Sequence, residues 1–280
     1  MKRLVIFDLD GTLLNTIADL AAATNYALTQ FGYPTHDTDA YRFFVGNGIN
    51  KLFERALPES ERTPENVLRI RSQFVPYYNL HNADLSRPYP GIEQLLTQLQ
   101  EQHIQVAVAS NKYQEATEKL IRQYFPSIHF TAVFGQRENV PTKPDPQVIH
   151  EIIGISGVQK EEVVYIGDSG VDMQTGLNAG VTTIGVCWGF RPKNELEAFQ
   201  PDLLVENPEE IADFCNSLNP QKANILRRPC ASSKTQGRLT QNASAFKIKR
   251  KCVSVKTQVH FTSNARAFFQ GRKITREQAV

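Results

Sequence analysis

Four consecutive apolar residues, Leu4-Val5-Ile6-Phe7, run straight into Asp8-Leu9-Asp10-Gly11-Thr12. An unbroken apolar run of that length, bounded by charge, reads as a short strand buried on both faces, the environment of an interior strand in a parallel sheet. Side chains two apart in extended chain project to the same side, so Asp8 and Asp10 converge just beyond the strand, where Gly11 lets the backbone turn. Two carboxylates aimed at one point call for positive charge between them. A hard cation such as Mg2+, which takes one or two carboxylates together with a substrate phosphate, meets that need. An Asp-Gly turn after an apolar run explains these few residues equally well, but it does not explain why polar residues also end the later strands.

The same pattern recurs along the chain. Val106 to Ala109 ends at Ser110-Asn111-Lys112, Ala132 to Phe134 ends at Gly135, and Val163 to Ile166 ends at Gly167-Asp168-Ser169; Thr183 to Val186 and Leu203 to Val205 are further short strands. Helical spacing intervenes at Ile92 to Gln102, after Lys112 through Ile121, at Val148 to Ile153, at Met173 to Ala179 and at Glu209 to Leu218. Strands alternating with helices predict a parallel sheet covered on both faces, with right-handed crossovers. Ligands of such sheets gather outside the carboxyl ends of the strands. Asp8, Asp10, Ser110, Asn111 and Asp168 are therefore expected on one rim, a convergence that a lone turn does not require.

One segment departs from the alternation. A helix from Thr16 to Phe31, with Thr16 and Asp19 spaced as a capping box and Gly32 as its stop, is followed by amphipathic pieces at Ile49 to Leu57 and Asn66 to Tyr78. This predicts a small helical insertion. Its Gly46-Asn47-Gly48 run is a flexible turn on composition alone. Arg42, Lys51 and Arg55 lie near it, but charges on a surface helix usually mark a solvated face. Trp188, His36 and His103 have no identifiable partners in the sequence and are assigned to packing or surface roles.

Charge divides the chain sharply. Residues 219–280 hold 14 Lys and Arg against one acidic residue, Glu277, leaving 17 basic and 28 acidic residues before them, so a body of about −11 precedes a tail of about +13. The tail, with Lys247-Ile248-Lys249-Arg250-Lys251 as its densest run, admits three readings: a disordered extension, a basic arm for nucleic acid or anionic lipid, or translation in a wrong frame. Cys187, Cys215, Cys230 and Cys252 show neither close pairing nor zinc-site spacing, which points to a reducing compartment. Asp8 and Asp10 interrupt the first apolar run too early for a signal peptide, and no stretch has the length of a membrane span. The expected location is cytoplasmic.

Taken together and in order, Asp8-Leu9-Asp10-Gly11-Thr12, Ser110-Asn111, Lys143 within Thr142-Lys143-Pro144-Asp145-Pro146, and Gly167-Asp168-Ser169-Gly170-Val171-Asp172 resemble the four motifs of the haloacid dehalogenase superfamily. The insertion resembles the helical cap of the subclass containing phosphoglycolate phosphatase and beta-phosphoglucomutase. Phe44 to Gly48 and Tyr89-Pro90-Gly91 are most similar to the first of these. The resemblance covers residues 1 to about 218 and implies an α/β fold: a doubly wound, Rossmann-like parallel-sheet core (1–15 and 86–218) with a small α-helical cap inserted after the first strand (16–85).

By resemblance, Asp8 is the nucleophile that forms an aspartyl-phosphate, and Asp10 is the general acid and base. Asp8, Asp168 and the peptide carbonyl of Asp10 hold Mg2+, Thr12, Ser110, Asn111 and Lys143 bind phosphate, and Gly46, Asn47 and Gly48 contact substrate from the cap. The residues themselves are compatible with these roles. Phosphoryl transfer asks mainly for positioning and charge neutralisation. Prolines stiffen the loop that carries the Lys143 ammonium, and Asp172 is spaced to support Asp168. As plain structural residues, Asp168, Ser110 and Asn111 also suit helix N-caps, and Lys143 reads as an exposed lysine. The expected activity is Mg2+-dependent hydrolysis of a small phosphorylated metabolite resembling phosphoglycolate. The alternatives are a sugar phosphomutase and, in another class, a nucleic-acid-binding protein working through the tail.

Overall fold

The computed structural model describes residues 1–217; the expectations for the tail, for Cys230 and Cys252 and for Leu218 lie outside the described residues. A six-stranded sheet is formed by β1 (Leu4–Phe7), β4 (Gln105–Tyr113), β5 (Phe130–Gln136), β6 (Val163–Gly167), β7 (Thr182–Val186) and β8 (Leu203–Val205), in the order β5-β4-β1-β6-β7-β8, with every pairing parallel. All four residues of β1 are fully buried, as its unbroken apolar run requires. Alternate residues serve the two faces. Val5 and Phe7 pack with Val106, Val108, Val164 and Ile166 beneath α5 (Ile92–Glu101), α6 (Gln114–Tyr124) and α10 (Glu209–Asn216). Leu4 and Ile6 pack with Ala107, Ala109 and Tyr165 against α7 (Gln147–Ser156) and α8 (Gly170–Ala179).

Register places the functional ends of the strands side by side. Phe7 pairs with Val108 on one flank and Ile166 on the other, so Asp8, Ser110 and Asp168 all emerge within two residues of that shared level. The Asp8 amide donates to Ile166 O at 2.9 Å and extends the ladder to the nucleus of the site.

The helical insertion lies between two short antiparallel strands, β2 (Leu14–Asn15) and β3 (Arg87–Pro88), which pair Leu14 with Pro88 and Asn15 with Arg87. It contains α1 (Ile17–Gln30), α2 (Tyr41–Phe44), α3 (Ile49–Ala56) and α4 (Pro64–His81), packed around a core of their own that includes Leu28, Tyr41, Phe53, Phe74 and Tyr78. Ala116 and Phe190, from the sheet side, complete that core. Among the described residues, no helix is long and apolar enough to cross a membrane.

The expected capping box at Thr16 is not formed. Thr16 has φ −105° and ψ 3°, and its side chain caps no backbone N–H. Its hydroxyl instead donates to Asp10 Oδ1 at 2.7 Å, while Asp19 accepts from the amides of Leu85 and Ser86 and from the Ser86 hydroxyl. Both side chains are drawn into tertiary contacts: one reaches the strand end and the other fastens the returning chain to α1. A hydrogen bond to a buried charged group is worth more than one to a helix-end amide.

Candidate active site

Asp8, Asp10, Ser110, Asn111, Lys143, Asp168, Asp172, Gly46 and Gly48 line one cavity of about 40 Å3, together with Lys112, Ser169, Phe190, Arg191 and the apolar side chains of Leu20, Val45, Ile49 and Leu52. The sheet contributes the polar floor and the helical insertion the apolar roof. Thr12 and Asn47 are not on its wall. The Thr12 hydroxyl is fully buried without a partner among the described residues, and its carbonyl accepts from Trp188 Nε1 at 3.1 Å. Asn47 Oδ1 accepts from Arg55.

At the centre, Lys143 Nζ donates to Asp8 Oδ1 at 2.8 Å, Asp172 Oδ1 at 2.7 Å and the Tyr165 hydroxyl at 3.0 Å. Lys143 is therefore not the exposed lysine that its loop suggests in isolation: its side chain is 3% exposed. Asp8, Asp168 and Asp172 each offer an oxygen within 4.8 Å of the others. All of Asp172's capacity is already used, with Oδ1 accepting from Lys143 and Tyr165 and Oδ2 accepting from the Ser169 amide and hydroxyl. Ser169, rather than Asp168, caps α8 and forms the capping box with Asp172. Asp168 is thus released from the N-cap role. It accepts from the Phe190 amide at 2.6 Å through Oδ2.

Crowded carboxylates perturb one another. Burial pushes Asp8 up to about 7 against the pull of Lys143, and the charges of Asp172 and Asp10 add to the rise. Asp168 is held well above the ordinary carboxylate range by burial and by the charges of Asp172 and Asp8. Burial opposes the Lys143 charge, yet Asp172 and Asp8 outweigh it and hold the ammonium well above its ordinary value. Three buried carboxylates around one ammonium leave the cluster short of positive charge. A divalent cation shared by Asp8 and Asp168 would supply it, and these are the two members with unused acceptor capacity. The donor set is all oxygen, as Mg2+ prefers. Backbone geometry protects the arrangement. Gly11 has φ +94°, and a Cβ there, or at Gly189, would overlap the Asp168 carboxylate.

The second strand end differs from its sequence reading. β4 continues to Tyr113, with an irregularity in its register between Ala109 and Tyr113, and α6 begins only at Gln114. Ser110, Asn111 and Lys112 thus lie in a distorted strand end rather than at a helix N-terminus, and such distortions re-aim side chains. Asn111 bridges two loops: Nδ2 donates to the carbonyls of Gly46 and Lys143, and Oδ1 accepts from the Lys143 amide. Its side chain fastens the cap loop and the Lys143 loop together.

Lys112 is the residue that sequence reasoning passed over. Its ammonium contacts Asp10 Oδ1 at 3.1 Å and Oδ2 at 3.2 Å and donates to the Tyr78 hydroxyl of α4 at 2.7 Å, with a side chain 2% exposed. Asp10 consequently faces Lys112 and Thr16, and its carboxylate lies outside the Asp8, Asp168, Asp172 cluster. Of the three cations singled out near the cap loop, Lys51 pairs with Glu54, Arg42 reaches Asp39 and the Gly189 carbonyl, and Arg55 braces the Phe43 and Phe44 carbonyls.

Known proteins are similar in sequence and in fold. A phosphoglycolate phosphatase of Pseudomonas putida is 30% identical over 222 residues, covering 77% of this chain and 80% of its own. One from Vibrio parahaemolyticus is 29% identical over 216 residues, covering 75% and 95%. A crystal structure from Lactobacillus delbrueckii subsp. bulgaricus, of a protein assigned as a phosphoglycolate phosphatase, superimposes with a TM-score of 0.71 at 32% identity, over 77% of this chain and 99% of that one. The family model described as haloacid dehalogenase-like hydrolase matches residues 5–186, which contain all four motifs of the cavity, three at strand ends and one on the Lys143 loop. By the extent of that match, the chain belongs to the haloacid dehalogenase-like hydrolases.

Proposed function

We propose that this protein is a Mg2+-dependent phosphatase that hydrolyses a small phosphate monoester of the phosphoglycolate type through an aspartyl-phosphate on Asp8. The observation that carries the reading is the Asp8 carboxylate at the end of the central strand, held by Lys143 beside Asp168 on the floor of the cavity under the cap. The relatives' names support the choice of ester.

Mg2+ held by Asp8 and Asp168, with the Asp10 peptide carbonyl as the ligand carried over by resemblance, would neutralise charge on the phosphoryl group. Lys143 holds Asp8 in a single orientation with its three N–H donors engaged by Asp8, Asp172 and Tyr165, and would act on the phosphoryl group through its charge, beside the Ser110 hydroxyl. Asp10, fixed by Thr16 and Lys112, donates a proton to the leaving alkoxide and takes one from the water that hydrolyses the intermediate. Asp172 orients Lys143 and touches no reacting atom. The apolar roof excludes other water during transfer. A cavity of about 40 Å3 has room for about three water-sized groups. That is less than phosphoglycolate or a sugar phosphate fills, so either substrate requires the cap to move, and the choice of the smaller ester rests on the relatives' names.

A panel of phosphate esters assayed with Mg2+ and with a chelator tests the reading. The expected result is metal-dependent release of phosphate, with phosphoglycolate preferred over hexose phosphates. Activity indifferent to Mg2+, or return of phosphate to a sugar rather than to water, would overturn it.

A further inference from the structure

The cavity wall carries four carboxylates, Asp8, Asp10, Asp168 and Asp172, and three cations, Lys112, Lys143 and Arg191. The two lysines are committed: Lys143 is held by Asp8 and Asp172, and Lys112 by Asp10. Arg191 is different. Its guanidinium donates through Nη2 to the carbonyls of Val45, at 3.0 Å, and Phe43, at 3.4 Å, both neutral acceptors. The nearest carboxylate, Glu195, stands at 3.8 Å from Nε, and the same Glu195 oxygen already accepts from the Gly170 amide at 3.0 Å. The side chain is nevertheless 12% exposed. A guanidinium so far removed from water and served mainly by neutral carbonyls retains capacity for an anion.

Its placement matches that of a second substrate anchor. Arg191 follows Phe190, whose amide is fixed to Asp168, so it stands one residue along from the phosphate end of the cavity. It also spans the closure: the residue belongs to the loop after β7, and the carbonyls it holds belong to the insertion, directly before Gly46. Gly46 has φ +117°, and the atom nearest to a Cβ built there is Arg191 Nη2 at 3.9 Å. The loop therefore leaves open space beside the guanidinium, where a larger residue would fill it.

We propose that Arg191 binds the carboxylate of a phosphorylated hydroxy acid, and that the same guanidinium ties that carboxylate to docking of the cap loop through the Phe43 and Val45 carbonyls. The inference rests on the small-ester reading and names the group that distinguishes the preferred ester. A planar fork serves a carboxylate on one edge and a carbonyl on another, which an ammonium does less well. Substrates lacking the carboxylate leave Arg191 with the loop carbonyls alone and so gain nothing from that contact.

The test compares two non-hydrolysable ligands of equal length, 3-phosphonopropionate and propylphosphonate, binding by calorimetry in Mg2+ to the wild type, Arg191→Met and Arg191→Lys. It is paired with kcat/KM for phosphoglycolate and ethyl phosphate. The wild type is expected to prefer the carboxylated member of each pair. Arg191→Met should reduce that preference by about 10- to 100-fold, the range for a hydrogen bond to a charged group, while Arg191→Lys retains part of it. A preference that survives Arg191→Met, with both ligands weakened equally or neither affected, overturns the carboxylate subsite and leaves Arg191 as a loop fastener. An active wild type with no preference for the carboxylate overturns the phosphoglycolate reading itself.

Discussion

Replacing Lys112 by Met keeps the length and apolar stem of the side chain and removes only the ammonium. Three contacts then vanish: two with the Asp10 carboxylate and one with the Tyr78 hydroxyl. With the pair almost fully buried, the cost is set by leaving Asp10 without its cation, and losses on breaking buried pairs run to about 3–5 kcal/mol. Asp10 keeps its bond from Thr16 and is 11% exposed, which places the expected loss near the lower bound, about 3 kcal/mol. For a domain of this size that corresponds to a fall of about 6–12 °C in Tm. A second readout separates stability from chemistry. If Lys112 holds Asp10 where it protonates the leaving oxygen, Lys112→Met should lose more kcat/KM on ethyl phosphate than on p-nitrophenyl phosphate, whose leaving group needs little protonation. The ratio should move by about 10-fold or more, within the range for general acid catalysis. Adding Tyr78→Phe should cost less than the two single losses combined, because the tyrosine hydroxyl is no longer left buried and unpaired. An unchanged Tm, or equal losses on both esters, would refute the reasoning.

Gly11→Ala should abolish turnover, since the added methyl meets the Asp168 carboxylate at a φ of +94°; retained Mg2+ binding by calorimetry would contradict this. Asp172→Asn should lower kcat by about 10-fold or more while changing KM little, because Lys143 loses one of its two anionic partners; steady-state kinetics at saturating Mg2+ checks it. Gly48→Val, at a φ of +82° and with Gln136 Oε1 3.1 Å from the new Cβ, should impair phosphoglycolate turnover more than that of p-nitrophenyl phosphate, and equal losses would remove the cap loop from the mechanism. Without metal, folded Asp8 keeps its proton up to about pH 7 whereas an ordinary carboxylate releases it near 3.8, so this group's contribution to stability is full below about pH 4 and falls as the pH rises to about 7. Mg2+ should therefore raise Tm more above about pH 7 than near pH 5, and Asp8→Asn should flatten that difference.

The first strand was legible because burial on both faces leaves an apolar run with no polar alternation, and β1 lies at the centre of the sheet. The rim was legible for a related reason: in a parallel sheet the polar residues that stop the strands must share one edge. What the sequence hid were choices among partners. Thr16 and Asp19 fit a local capping box, but a carboxylate and two amides elsewhere in the fold took them. Lys112 was hidden by the strand irregularity after Ala109, which keeps in β4 a residue whose local sequence suggests a helix start. Lys112 directly follows the polar pair Ser110-Asn111 at a strand end, and that position was the available signal. Arg191 lies in a loop without a periodic pattern, and its role depends on which carbonyls of the insertion close over it.

The most direct test of the central claim is to mix Asp10→Asn with p-nitrophenyl phosphate, whose leaving group needs little protonation, and Mg2+, quench in acid and map the phosphoryl group by mass spectrometry. With the base for water removed, the covalent intermediate should accumulate. The account predicts one added phosphoryl group on the peptide bearing Asp8, absent when Asp8→Asn is combined with it. No adduct on that peptide, together with turnover by Asp8→Asn near the wild-type rate, would contradict it.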